Sequence, residues 1–271
     1  MKLTSQQEFF DYIKAMRLLA TQELGQNFLI NPDVSKKIVD LLDVQSTENV
    51  LEIGAGFGSL SYFLLETKGL SFLLDVDPKT IVFLKEQFGD NPNISIIQES
   101  ILKHDVSNYE KIIGNLPYYI TSNTIEYVLL NARKARKLVF MIQKEVLPRL
   151  TAKATEEGYG PLAILVRYLG IPKRCLNVSR RQFVPAPHID SVVVSIDIKP
   201  HADYETAEKL LKAAMNLFHH RRKTIRNNLR LLLNSDELTE QVLASSGVDG
   251  NKRPQDLPSE DYLKLTKQLK F

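Results

Sequence analysis

A five-residue strand-like run, 49–53, with Val50, Leu51 and Ile53 as its apolar positions, breaks into three glycines two positions apart, Gly54, Gly56 and Gly58, and a helix-like stretch follows. Five residues is strand length, and glycine lets the backbone turn with positive φ and approach a ligand where a Cβ would intrude. Strand, glycine turn and helix in that order open a βαβ unit. The same alternation continues downstream, where runs 71–76, 94–97, 111–114, 138–142 and 191–198 read as strands. Between them, a periodic run from Pro32 to Leu42 begins with Asn31 as an N-cap ahead of the proline, and 78–88 and 122–131 are also helix-like. The pattern predicts an α/β fold, a mostly parallel sheet with helices on both faces and a ligand outside the carboxyl ends of its strands. Past Lys199-Pro200 the β signal stops. Residues 204–218, 224–233, 235–246 and 259–269 all show helical spacing, separated by Asn234, Gly247 and Gly250, with Pro254 and Pro258 beyond. The predicted organisation is an α/β domain over 1–199, with an N-terminal helical extension, and a small all-helical domain over 200–271.

With 271 residues, 44% of them apolar, the chain can fill two cores, which excludes intrinsic disorder. The longest apolar runs, such as 138–142 and 162–166, fall far short of the ~18 residues of a spanning helix, so no membrane segment is expected. Glu8 and Asp11 among the N-terminal hydrophobes read against a signal or transit peptide, and a cytoplasmic protein is expected. The single cysteine, Cys175, allows no internal disulfide or cysteine-based zinc site and reads as a buried structural thiol. His104, His188 and His201 have no ligand spacing, and the adjacent His219 and His220 point in different directions on a helix, so no metal is expected.

Charge separates the halves of the chain although its net charge is only +3. Between Glu48 and Glu110 ten acidic residues face four lysines, whereas from Arg133 to Arg181 twelve basic residues face three acidic ones. Arg221, Arg222, Lys223, Arg226 and Arg230 add five more cations, and Asn227 and Asn228 among them suit a phosphate-lined groove. Basic side chains gathered in one region neutralise phosphates and release counterions, so the basic half is expected to bind nucleic acid.

The acidic half carries a cofactor signature. Glu52 precedes the first glycine, and Ser59 stands where a dinucleotide fingerprint needs its third glycine, so the loop suits a ligand without a pyrophosphate. Asp75, 21 positions beyond Gly54 at the end of the next strand, is placed to accept hydrogen bonds from ribose hydroxyls. Together these features point to an adenosyl cofactor and resemble the class I S-adenosylmethionine-dependent methyltransferases.

Asn115-Leu116-Pro117-Tyr118 directly follows the strand that ends at Gly114, at the carboxyl edge beside the glycine loop. The exocyclic amine of a nucleobase is a poor nucleophile because its lone pair is delocalised into the ring. The Asn115 side-chain oxygen and the Leu116 carbonyl can each accept one amine hydrogen, which favours a pyramidal nitrogen without a strong general base. Pro117 fixes its own φ and biases Leu116 away from helix, and Tyr118 offers a ring on which a flipped base can stack.

Over most of its length the chain resembles the ribosomal RNA adenine N6,N6-dimethyltransferases of the KsgA type. The blocks are Gly25-Gln26-Asn27-Phe28-Leu29, Glu52 to Gly56, Asn115 to Tyr118, Gln143-Lys144-Glu145-Val146, Phe183-Val184-Pro185-Ala186-Pro187 and Arg221 to Asn227. The resemblance implies a Rossmann-like class I methyltransferase sheet and S-adenosyl-L-methionine as cofactor. It implies contacts from Asn27, Leu29 and Gly54 near the methionine part, from Asp75 to the ribose and from Asn115 to both cofactor and target amine. Gln26, Glu52, Gly56, Val76, Glu99 and Ser100 complete the expected cofactor set, and Phe183 would stack on the adenine opposite Tyr118. The implied substrate is a pair of adjacent adenosines near the 3′ end of 16S rRNA in the 30S subunit, each dimethylated by a monomeric enzyme. A related antibiotic-resistance type acts on large-subunit rRNA, but Leu116 and the Arg221–Asn227 block resemble the small-subunit type. A ribosome-assembly protein without catalysis would not need Asn115 and Tyr118. Two positions depart from the family pattern. Ser100 stands where the family has an aspartate at the cofactor adenine, and His219-His220 where it has Asn-Gln.

Overall fold

The computed structural model describes residues 6–15 and 27–269. They fall into two compact units, one drawn from Met1–Glu145 and Lys173–Ile198, the other from Val146–Pro172 and Lys199–Phe271.

The first unit is built on a sheet. Helix α1 (Gln6–Ala15), strand β1 (Phe28–Leu29) and helix α2 (Pro32–Asp40) precede β2 (Asn49–Ile53), α3 (Ser61–Leu64), β3 (Leu70–Asp75), α4 (Pro78–Phe88) and β4 (Ile94–Gln98). Then come β5 (Lys111–Asn115), α5 (Thr121–Asn131) and β6 (Lys137–Gln143), and later β7 (Gly170–Val178), β8 (Phe183–Val184) and β9 (Ser191–Ile198). Helix starts follow local chemistry: the Asn31 side chain accepts from the Val34 N–H and Asp77 from the Lys79 N–H, each with proline opening the helix.

Across the sheet the order is β4-β3-β2-β5-β6-β9-β7, and β1 pairs with β8 separately. The pairs β3/β4, β2/β3, β2/β5 and β5/β6 are parallel, whereas β6/β9 is antiparallel. From β2 the chain steps outward through β3 and β4, then crosses to β5 on the other side of β2. The topological switch therefore lies between β2 and β5, where an open α/β sheet forms its ligand crevice. Both faces of the sheet are covered, so the central strands are apolar on both sides: Val50, Leu51, Ile112, Ile113 and 138–142 are all buried. An aromatic cluster of Phe9, Phe10, Phe28, Phe57, Phe63, Phe83 and Phe88 fills one face of this unit.

In the second unit α6 (Pro148–Thr151) and α7 (Pro161–Leu169) pack with α8 (Tyr204–Phe218), α9 (Ile225–Leu233), α10 (Asp236–Ser246) and α11 (Ser259–Thr266). Ala163, Ala213 and Ala214 are fully buried, and their small side chains let α7 and α8 approach closely. Tyr159 donates to the Leu257 carbonyl at 2.9 Å and Tyr262 to the Pro254 carbonyl at 2.7 Å, so each buried phenol keeps a partner. The helical unit thus draws on 146–172 as well as on the residues after 199. Within the 162–166 run that reads as merely apolar, Ala163 to Val166 are buried in α7, which packs against α8 and α11.

Candidate active site

A cavity of about 270 Å³ opens at the switch point, between the ends of β2, β3 and β5. Its floor is the glycine turn. Gly54 takes φ +68°, where a side chain is strained, and any Cβ there would stand 3.7 Å from the Asn115 carbonyl. The N–H groups of this turn are used within the protein: Gly54 and Ala55 donate to the Leu74 carbonyl at 2.8 and 3.1 Å, and Gly56 to Asp75 Oδ2 at 2.7 Å. Those donors are not turned toward a phosphate, which agrees with a ligand lacking pyrophosphate. Gly58 has a different duty, since a Cβ there would meet the Phe88 ring at 2.7 Å.

Two carboxyls sit in the inner wall. Glu52 is buried and accepts the Ser61 hydroxyl at 2.6 Å, and burial, aided by the Asp75 charge, raises its pKa to about 8. Asp75 also lies under the surface and is raised by burial, an effect the Asp77 and Gly56 N–H groups oppose. At the β4 side, Glu99 and Ser100 border the cavity. Glu99 is held from behind: its Oε2 lies 2.8 Å from His104 Nδ1, and His104 Nε2 lies 2.8 Å from the Tyr109 hydroxyl. A carboxylate only accepts, so Nδ1 carries the hydrogen toward Glu99.

On the β5 side, Asn115 closes the strand and its Nδ2 donates to the Asn27 carbonyl at 2.9 Å. A carbonyl cannot donate, so this bond fixes which end of the amide is which and leaves Oδ1 as an acceptor on a residue of the cavity wall. Leu116 is buried and its N–H donates to the Met141 carbonyl of β6 at 3.1 Å. Tyr118 is half-buried, which raises its pKa, and its hydroxyl has no hydrogen-bond partner among the described residues.

The cavity wall therefore gathers Asn27, Leu29, Glu52, Gly54, Gly56, Asp75, Val76, Glu99, Ser100, Asn115, Leu116, Pro117 and Tyr118. Gln26 lies outside the described residues. Phe183 is not in the wall: β8 pairs it with Leu29 of β1, and its side chain is 3% exposed within the aromatic core. Its neighbour Val184 precedes Pro185 through a cis peptide. Sequence reasoning missed Leu102 and Tyr119, which also line the cavity. Leu102 had a signal, since it falls two residues past Ser100 in the same block.

In the helical unit the five cations of 221–230 differ in their partners. Arg226 pairs with Glu240 and Arg230 with Asp236, both acids of α10, and Arg221 lies over the Phe218 ring at 6.0 Å. Arg222 and Lys223 are exposed and have no ion pair among the described residues. Asn228 does not line a groove either; it is buried, and its Nδ2 donates to the carbonyls of His220, Lys223 and Thr224 at 3.0–3.3 Å, which holds the 220–224 turn. Cys175 is half-buried on β7, its Sγ 3.3 Å from Ser195 Oγ. No helix is long and apolar enough to cross a membrane, and no group of three His, Cys, Asp or Glu side chains suits a metal among the described residues.

A parallel sheet reversed between β2 and β5, a glycine turn followed by strand-end acids, and a cavity over both define a class I methyltransferase. Comparison with known proteins narrows the class. The family model for ribosomal RNA adenine dimethylases matches residues 18–270. The chain is 36% identical over 264 residues to ribosomal RNA small subunit methyltransferase A of Malacoplasma penetrans, covering 95% of both chains. It is 35% identical to the protein of that name from Pseudomonas savastanoi pv. phaseolicola, covering 92% of this chain and 94% of the other. Among solved structures, a dimethyladenosine transferase from Plasmodium falciparum superimposes with a TM-score of 0.73 at 25% identity, over 87% of this chain and 94% of that one. The 23S rRNA methyltransferase ErmE shares the fold, with a TM-score of 0.66 at 22% identity over 89% of this chain and 99% of that one. The chain belongs to the ribosomal RNA adenine dimethylase family, whose members are enzymes that transfer methyl groups from S-adenosylmethionine to adenine in rRNA.

Proposed function

We propose that the chain binds S-adenosylmethionine in this cavity and methylates N6 of two adjacent adenosines in the hairpin loop near the 3′ end of 16S rRNA, in the 30S subunit or its precursor. Each adenosine receives two methyls, as a step of small-subunit biogenesis in the cytoplasm. The name shared by the relatives, ribosomal RNA small subunit methyltransferase A, supports the choice of subunit. The cavity suits the cofactor's parts. Asp75 offers carboxylate lone pairs at the end of β3 for ribose hydroxyls, and Val76 and Leu102 present apolar surface, 46% and 41% exposed, against which a purine can pack. Ser100 and Glu99 offer acceptors for an adenine amine, and Asn27 and Leu29 close the other side.

The bound cofactor supplies an electrophilic methyl on a sulfonium. The residues of the chain do the rest by position and electrostatics. Asn115 Oδ1, oriented by the bond from its Nδ2 to Asn27, accepts one hydrogen of the target amine. The Leu116 carbonyl accepts the other, held in place by the Leu116 N–H bond to Met141 and by the Pro117 ring. Drawing both hydrogens to one side turns the lone pair out of conjugation and toward the methyl; once the C–N bond has replaced the methyl's C–S bond, the amine is positively charged and releases its surplus proton to water. Tyr118 gives the adenine a surface to stack on. A monomethylated amine has one hydrogen left, so in the second transfer only one of the two acceptors is engaged. The single observation that carries this reading is the Asn115–Asn27 hydrogen bond at the switch point. Arg222 and Lys223, exposed and without an ion pair among the described residues, fit contacts to RNA phosphates.

The test is to incubate the protein with methyl-labelled S-adenosylmethionine and unmethylated 30S or 50S subunits, digest the RNA and identify the labelled nucleoside. Dimethyladenosine from 30S alone is expected. Label in 50S RNA alone, or 30S binding without label, contradicts the proposal.

A further inference from the structure

One aromatic side chain on the cavity is left open to solvent. Tyr119 belongs to the turn between β5 and α5, lines the cavity and keeps 60% of its surface exposed. An exposed tyrosine is ordinary by itself. This one stands on a fixed base: the Pro117 carbonyl accepts both the Ile120 N–H at 3.2 Å and the Thr121 hydroxyl at 2.9 Å, and the Ile120 carbonyl accepts the Thr124 N–H at 2.8 Å. The ring therefore projects from a closed turn, directly after the residues that would hold the reacting amine. Two other aromatic rings of the wall are less available, with Phe28 buried and Tyr118 half-buried.

A base drawn out of a stacked strand into an enclosed site leaves a flanking nucleotide with one face bare. We propose that Tyr119 is the platform on which that flanking nucleotide stacks, so that it grips the RNA at the cavity mouth while the target adenine is inside. The inference rests on the rRNA adenine reading above. Stacking on a phenol ring uses the π-face that every base has, so Tyr119 contributes affinity for the displaced strand rather than choice of sequence. It acts in binding and not on the methyl transfer itself, because the amine acceptors belong to Asn115 and Leu116.

The test measures steady-state methylation of unmethylated 30S subunits by the full chain, with cofactor affinity followed separately by calorimetry. For Tyr119→Ala, KM for the subunit is expected to rise about tenfold, the scale of losing one base–aromatic stack. Its kcat and its affinity for S-adenosylmethionine stay near those of the wild type, which also shows that the variant is folded. Tyr119→Phe keeps the ring and restores KM. An unchanged KM in Tyr119→Ala, a Phe variant as impaired as the Ala variant, or an effect on cofactor affinity overturns the inference while wild-type methylation leaves the rRNA reading standing. Absence of label with the wild-type protein overturns that reading and this inference with it.

Discussion

Glu52 and Asp75 share the inner wall of the cavity, and burial raises the pKa of both, Glu52 from its ordinary 4.5 to about 8. At neutral pH the folded chain keeps a proton on Glu52 that the unfolded chain has released. The folded state binds more protons between those two values, so stability falls as pH rises from 4.5 toward 8, and Asp75 acts in the same direction at the start of its own titration. Denaturant midpoints are expected to decline across that window, and Glu52→Gln, which keeps an acceptor for Ser61, is expected to flatten the decline; an equally steep fall in the variant contradicts this. At Ser100 a neutral hydroxyl stands where the family pattern has a carboxylate. Charge assistance adds roughly 1 kcal/mol to a hydrogen bond, so Ser100→Asp is expected to lower the calorimetric Kd for S-adenosylmethionine by about fivefold; unchanged affinity removes that role. At this scale Glu52, the glycines, Asp75 and Asn115 to Tyr118 were legible because strand ends and a glycine turn put them at one edge, whereas Asn27, Leu29, Val76, Glu99 and Ser100 were legible only through the family resemblance. Phe183, Asn228 and Tyr119 were not, because burial of a side chain depends on partners distant in sequence. Phe183 is covered through its pairing with Leu29, and Asn228 is spent on three carbonyls of the preceding turn.

Among the elements, 49–53 and 191–198 are strands with the bounds that alternation predicts, and 78–88 and 204–218 are helices with theirs. Each is long, periodic or capped by a local signal. Strand β7 escaped notice because Pro172 removes a donor and Lys173 and Arg174 interrupt any apolar run. Both features fit its place at the edge of the sheet, where proline and lysine are tolerated. Strands β1 and β8 are two residues each and exist only through their mutual pairing. Gly58 joins elements rather than serving the ligand. Gly58→Ala must carry a Cβ at φ +78° and 2.7 Å from Phe88 of α4, and left-handed strain with overpacking costs about 2–4 kcal/mol. Chemical denaturation is expected to show that loss with the m-value unchanged; an unaltered midpoint shows that the turn is not held by this contact.

For the molecule as a whole, the alternating strand–helix stretch and the all-helical stretch of the sequence correspond to two compact units, but the boundary is not one cut. Residues 146–172 leave the α/β unit and supply α6 and α7 to the helical core before the chain returns to the sheet. A linear reading cannot see this excursion, because the apolar run in α7 serves either unit equally well. Charge behaves likewise: the count of cations was legible, but their pairing with Glu240 and Asp236 required α9 and α10 to be packed together. Removing Arg222 or Lys223 is therefore expected to weaken RNA binding and to lower the slope of log affinity against log salt by about one each. Removing Arg226 or Arg230 is expected to leave that slope closer to the wild-type value; filter binding over a salt series distinguishes the two pairs, and equal slopes for all four contradict the assignment. The whole account turns on Asn115 as the oriented acceptor at the switch point. Its most direct test is the single-turnover rate of methyl transfer to 30S RNA by Asn115→Ala at saturating cofactor and subunit. Loss of one oriented acceptor predicts a rate lowered by about a hundredfold or more, and a rate near that of the wild type would contradict the account.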